Sequence, residues 1–150
     1  MSYGRLDEAE LALARAYQLN ANRQTFNNIM VDIHNLRGEF NAALQMLESM
    51  PQQEFNLVRM AVALHGVGRR AESDEILNEL MTVPRPEAVK GVVQIFATRG
   101  ENDLAFEWLA KVQGIRPQFM VYDGYIRQLK DDPRWRPWVD SLDWRWEYEY

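Results

Sequence analysis

Four glycine corners at nearly constant spacing constrain this chain more than any other feature. Near its middle lies Leu64-His65-Gly66-Val67-Gly68-Arg69-Arg70-Ala71-Glu72-Ser73. An apolar helical run arrives there, a glycine stops it, and an amphipathic run leaves. The same order recurs at Gly4-Arg5-Leu6-Asp7-Glu8-Ala9, at Arg37-Gly38-Glu39-Phe40-Asn41-Ala42-Ala43 and at Arg99-Gly100-Glu101-Asn102-Asp103-Leu104-Ala105. The corner glycines Gly4, Gly38, Gly68 and Gly100 lie 34, 30 and 32 residues apart. A period near roughly 34 residues predicts helix–turn–helix units that stack, because one such unit cannot bury its apolar face alone.

Between the corners the apolar residues follow helical spacing. The first helix is expected from about Leu6 to Leu19, with apolar residues on more than one face. Only Met1, Ser2 and Tyr3 precede its corner, so it reads as the second helix of a unit whose first helix is missing. Two explanations stand side by side: the chain is the C-terminal end of a longer protein, or a second copy covers the bare helix. The next helix is expected from about Arg23 to Leu36. After Gly38, Phe40, Ala43, Leu44, Leu47 and Met50 give an amphipathic helix that Pro51 ends. Residues from Glu54 to Gly66 form the most apolar run. Leu57, Met60, Ala61 and Leu64 already complete its packing face, so Phe55, Val58 and Val62 make a second stripe. Either a partner helix, a peptide or this chain's own tail meets that stripe, or the superhelix closes tightly enough to bury it. A third pair carries Val89 to Phe96, then Leu104 to Val112.

Beyond Gly114 the pattern changes. Phe119 to Leu129 reads as a short or broken helix around Gly124. Asp132-Pro133 predicts a helix start, with aspartate at the N-cap and proline at the first helical position. Trp135, Trp138, Val139 and Leu142 then lie at helical spacing, placing two indoles on one face as a closing cap. The tail Trp144-Arg145-Trp146-Glu147-Tyr148-Glu149-Tyr150 alternates aromatic and charged residues.

Composition narrows the function classes. The chain has 150 residues, enough for one domain, and a formal net charge of −5. Residues 138–150 hold Asp140, Asp143, Glu147 and Glu149 against Arg145, so the body is near neutral. A nucleic-acid partner needs a basic face, and none is present. With no cysteine, disulfides, thiolate nucleophiles and cysteine metal sites are excluded. No apolar stretch approaches the ~20 residues of a membrane-spanning helix.

Catalytic candidates are few. His34 is expected on a packing face and His65 near a helix C-terminus, where a cation interacts favourably with the dipole. A metal site would need more clustered ligands than two histidines 31 residues apart. Glu72/Asp74/Glu75 and Asp131/Asp132 read as solvated helix starts, and the glycines are single, with no phosphate-cradling loop. Neither an enzyme, nor a cofactor, nor a metal centre is expected. Trp108 is expected in the core or between helices. Trp144 and Trp146 lack a packing role and could mark an interaction at the tail.

Ala61 to Asp74, Arg99 to Leu109 and Asp132-Pro133-Arg134-Trp135 carry a family resemblance. They resemble bacterial tetratricopeptide-repeat proteins. More narrowly, they are similar to the C-terminal repeat region behind adenylate/guanylate cyclase or winged-helix regulator domains. Ser73 departs from the alanine usual at its repeat position. The resemblance implies an all-α fold of antiparallel helix pairs, stacked as a right-handed superhelix with a C-terminal capping helix. It implies a single domain over residues 1–150, with units at about 4–22, 23–52, 53–84 and 85–116 and a cap and tail at 117–150. It also implies a concave groove lined by the first helix of each pair. In this sequence the groove positions are Asn28, Asp32, Asn35, Phe55, Val58, Arg59, Val62, His65, Lys90 and Gln94. The lysines and asparagines with which the family clamps acidic chaperone tails are not reproduced at Asn28 and Asp32.

The expected function is therefore a non-enzymatic protein-interaction module or scaffold for a peptide or partner domain. The alternative is a C-terminal regulatory or dimerisation segment of a bacterial signalling protein, paired through its N-terminal helix. A cytoplasmic location is expected, or a periplasmic one if a membrane anchor lies upstream.

Overall fold

A computed structural model describes residues 3–19, 22–51 and 54–142. These form α1 (Tyr3–Gln18), α2 (Arg23–Arg37), α3 (Phe40–Glu48), α4 (Glu54–Gly66), α5 (Arg70–Met81), α6 (Pro86–Thr98), α7 (Asn102–Leu109), α8 (Pro117–Val121), a 3-10 helix (Ile126–Leu129) and α9 (Trp135–Ser141). Among the described residues there is no strand, so the fold is all-helical. None of these helices is long and apolar enough to cross a membrane.

Three of the four expected corners are built by one device. Gly38, Gly68 and Gly100 take φ of 79°, 88° and 72°, the left-handed region that side chains disfavour. Each glycine N–H donates three residues back: to Asn35 O at 3.1 Å, His65 O at 3.1 Å and Ala97 O at 3.2 Å. The residue after each glycine donates five back: Glu39 to His34 O at 2.8 Å, Arg69 to Leu64 O at 2.9 Å and Glu101 to Phe96 O at 3.0 Å. This double bond is the Schellman motif, which satisfies the carbonyls a helix end leaves bare. The carbonyl of that same residue then opens the next helix, accepting from Ala43, Ser73 and Ala105 N–H. Within six residues a helix stops, reverses and restarts.

Gly4 is the exception. The sequence expects a corner there, but the residue lies inside the first turn of α1. Its spacing fits the period, yet it continues a helix where the other three glycines end one.

The pairs also bury the same positions. Seven residues before each corner glycine stand Val31, Ala61 and Val93; five after stand Ala43, Ser73 and Ala105; nine after stand Leu47, Leu77 and Leu109. All nine are buried. The alanines and the serine five after the glycine are small enough for helices to approach closely, and all three leucines are buried. Ser73 fits because its Oγ donates to Ala61 O on α4 at 2.6 Å, leaving no bare hydroxyl. Around the first corner Val31, Ala43, Leu44, Leu47, Ala63 and Leu64 form one cluster, with Met46, Met50, Met60, Val67 and Ile76 packed against it.

The chain divides into two compact units, Met1–Ile76 and Leu77–Tyr150, with the division inside α5. In the first unit α1 packs on α2, α2 on α3 and α4, and α3 on α4. Arg37 ties α1 to α2, donating from Nη1 to Glu10 Oε2 at 2.8 Å and from Nη2 to Asp7. Phe40 lies flat against Gly66: a Cβ there would fall 2.2 Å from a ring carbon. Asn56, which breaks the apolar run of α4, is buried and donates to Pro51 O at 2.6 Å.

In the second unit α6 packs on α7 and on the 3-10 helix, which also touches α8. Met120, Val121, Tyr125, Ile126 and Leu129 are buried there. So the broken segment expected after Gly114 is a short helix, a turn and one turn of 3-10 helix that seal α6. The final helix begins at Trp135, two residues later than Asp132-Pro133 suggested. Asp132 does not cap it. Its Oδ1 instead accepts from Arg134 N–H at 2.9 Å, making an Asx turn that spends the carboxylate before the helix opens. Trp135 and Trp138 do share a face, with ring centroids 5.1 Å apart. Both are half-buried. Trp108 on α7 is half-buried as well, with the Lys111 ammonium 4.2 Å above its ring.

Candidate functional site

The first helices of the pairs, α2, α4 and α6, carry the residues expected to line a groove. In the first unit two of them meet in a bidentate ion pair. Arg59 Nε donates to Asp32 Oδ1 at 2.8 Å and Nη2 to Asp32 Oδ2 at 2.9 Å. The planar guanidinium matches the carboxylate edge to edge, the strongest geometry such a pair can take. It bridges α2 to α4 and leaves both groups half-buried. Asn35 adds to the bridge from Nδ2 to Arg59 O at 3.2 Å and is itself buried. Thus Asp32, Asn35 and Arg59 form one assembly. Asn28 lies a turn away on α2, half-buried, with its Oδ1 shielded from solvent.

The apolar stripe of α4 is not open. Val58 and Val62 are buried within the chain. Phe55 belongs to the same stripe, but its side chain lies outside the described residues. His65 stands half-buried at the last turn of α4. His34 is half-buried too, and its Nδ1 lies 2.5 Å from Glu39 Oε2 across the first corner. The histidine expected on a packing face thus sits at a corner and meets a carboxylate.

In the second unit Lys90 and Gln94 converge on Asp123, a residue that sequence reasoning passed over. Gln94 Nε2 donates to Asp123 Oδ2 at 2.8 Å, and Lys90 Nζ lies 3.2 Å from the same oxygen. The other oxygen accepts from Tyr125 N–H at 3.0 Å and Ile126 N–H at 3.1 Å, holding the entry to the 3-10 helix. Asp123-Gly124 is a turn dipeptide, and that was its signal; its second set of partners comes from α6, some 30 residues earlier.

A further polar cluster joins the C-terminal turn to α7. Arg134 donates to both Asp132 oxygens at 2.9 Å, to Asp103 Oδ1 at 2.8 Å, and lies 4.6 Å over the Phe106 ring. Hydrogen bonds from the Arg134 side chain, then from its backbone N–H, hold the Asp132 carboxyl well below the usual carboxylate range. Arg69, just before α5, pairs with Glu72 in its first turn, and the Arg69 hydrogen bond likewise lowers the Glu72 carboxyl. Among the described residues no three His, Cys, Asp or Glu side chains cluster as metal ligands would. Trp144 and Trp146, expected at the tail, lie outside the described residues.

The charged groups on these faces are thus compensated by partners within the chain. The all-helical architecture, with one corner geometry used three times, is consistent with an α-solenoid. Comparison with known proteins adds no relative: no family model, curated protein or solved structure matches the chain.

Proposed function

We propose that this chain is a non-enzymatic protein-interaction module of the tetratricopeptide type, its pairs stacked as a right-handed superhelix and closed by the C-terminal helices. One observation carries the reading. Positions that hold each pair together repeat, whereas those on the first-helix faces do not. Seven before, five after and nine after the glycine are Val/Ala/Val, Ala/Ser/Ala and Leu/Leu/Leu. Ten, six and three before it are Asn28, Asp32, Asn35, then Val58, Val62, His65, then Lys90, Gln94, Ala97. Constant positions serve packing. Of the varied positions, Asn28, Asp32, His65, Lys90 and Gln94 stay partly exposed, and varied side chains that reach solvent are what selects a partner by chemistry.

With Val58 and Val62 buried, recognition in the first unit falls to the polar groups Asp32, Arg59 and His65. A peptide offering both charge signs and backbone hydrogen bonds suits them. Reversing the pair as Asp32→Arg with Arg59→Asp keeps its internal attraction but inverts its polarity. Together with His65→Ala it should leave the melting temperature within a few degrees and weaken capture of a partner bound by the unaltered chain. Undiminished capture of that partner would defeat the groove reading.

A second reading, a regulatory or dimerisation segment of a bacterial signalling protein, is favoured by a separate observation. On α1, Leu11 is 55% exposed, and Leu19 just beyond it is 83% exposed.

A further inference from the structure

We propose that α1 pairs antiparallel with α1 of a second copy of this chain, about a two-fold axis between Leu11 and Ala12. The proposal rests on the second reading only in taking α1 as the interface, and is independent of the first-helix faces.

One side of α1 is committed to its own unit. Leu6, Ala9, Glu10, Leu13 and Ala16 are half-buried, and Arg37 fastens Glu10 and Asp7. At 100° per residue, Glu8, Leu11, Ala12 and Arg15 share the opposite side, and Leu19 stands just past the helix end. All five are exposed. The two leucines are apolar surface that association would remove from water.

The charges on that side select the occupant and its direction. In an antiparallel pair centred between Leu11 and Ala12, Glu8 of each copy meets Arg15 of the other. Leu11 meets Ala12, large against small, which lets two helices approach closely. A parallel pair would set Glu8 against Glu8 and Arg15 against Arg15, and like charges across an interface are costly. The face is thus complementary to itself in one orientation, as a two-fold interface requires. One short helix per copy offers less area than the ~800 Å² per partner of a standard interface, so the association is weak and depends on concentration.

Sedimentation equilibrium of the 150-residue chain, from micromolar to millimolar, tests this. The expected result is a reversible dimer. Glu8→Arg or Arg15→Glu alone should weaken it about tenfold or more, and the double reversal should restore it. These side chains are exposed and both replacements are good helix formers, so folding is not at stake. A monomer at every concentration overturns both the proposal and the second reading. A dimer lost with Leu11→Glu but not recovered by the double reversal overturns the antiparallel register and leaves α1 as the interface. A dimer indifferent to all these variants places association elsewhere and overturns the proposal.

Discussion

Phe40 and Gly66 show how little freedom a single site can have. The ring occupies the place where any side chain at residue 66 would begin, with 2.2 Å to the nearest ring carbon. Alanine is ordinarily the better helix former by about 1 kcal/mol. Here the clash should win, and Gly66→Ala should destabilise the chain by roughly 1–3 kcal/mol in urea unfolding. In a Phe40→Ala background the same change should cost nothing or stabilise; equal losses in both backgrounds would show that the ring is not responsible. Ser73 is the converse case. Its hydroxyl bonds a carbonyl, but alanine stands at the matching positions Ala43 and Ala105. Ser73→Ala should therefore shift stability by no more than about 1 kcal/mol, while Ser73→Val overpacks the helix contact and costs roughly 1–3 kcal/mol. Thermal melts of the two variants separate these outcomes.

Elements in this chain were legible to the extent that their signals are local. Gly38, Gly68 and Gly100 each combine a helix end, a left-handed residue and a helix start within six positions, and the helices between them fall close to where apolar spacing set them. Gly4 had the spacing but lies within the first turn of α1. Asp132-Pro133 resembled an N-cap, but Arg134 took the carboxylate. The Asp32–Arg59 bridge and Asp123 could not be read, because their partners lie 27 and about 30 residues away and nothing local marks them. The fate of Val58 and Val62 was likewise a matter of what packs over them.

The final helix depends on such a distant bond. Arg134→Lys keeps the charge but loses the fork that holds Asp132 and Asp103 together. Amide exchange across Trp135–Ser141 should rise several-fold, with α2 and α3 unchanged. Protonation tests the same anchor. Asp132 has a depressed folded-state value, so its contribution is present above the ordinary carboxylate range and is lost only as pH falls through that depressed value. A carboxyl titration by NMR should show no Asp132 midpoint between about pH 3 and pH 5, where unperturbed aspartates titrate. A midpoint inside that window would mean Arg134 does not hold it in solution.

For the molecule as a whole, stability should be distributed by unit. Where each helix pair draws its burial from its neighbours, damage stays near its origin. Leu109→Ala removes a buried leucine from the second unit and should cost roughly 2–5 kcal/mol there. Hydrogen exchange should then accelerate across α6 and α7 well before α2 and α3. Uniform acceleration along the chain would show that the two units melt as one.

The contact between Phe40 and Gly66 also gives the succession of pairs a direction. The residue two before the third corner glycine is Thr98, not glycine, and the residue two after the second is Arg70, not phenylalanine. Shuffling the segments would drive an aromatic ring into a threonine and leave a hollow where it came from. The modules look alike in outline, but this one contact keys the second corner to the first.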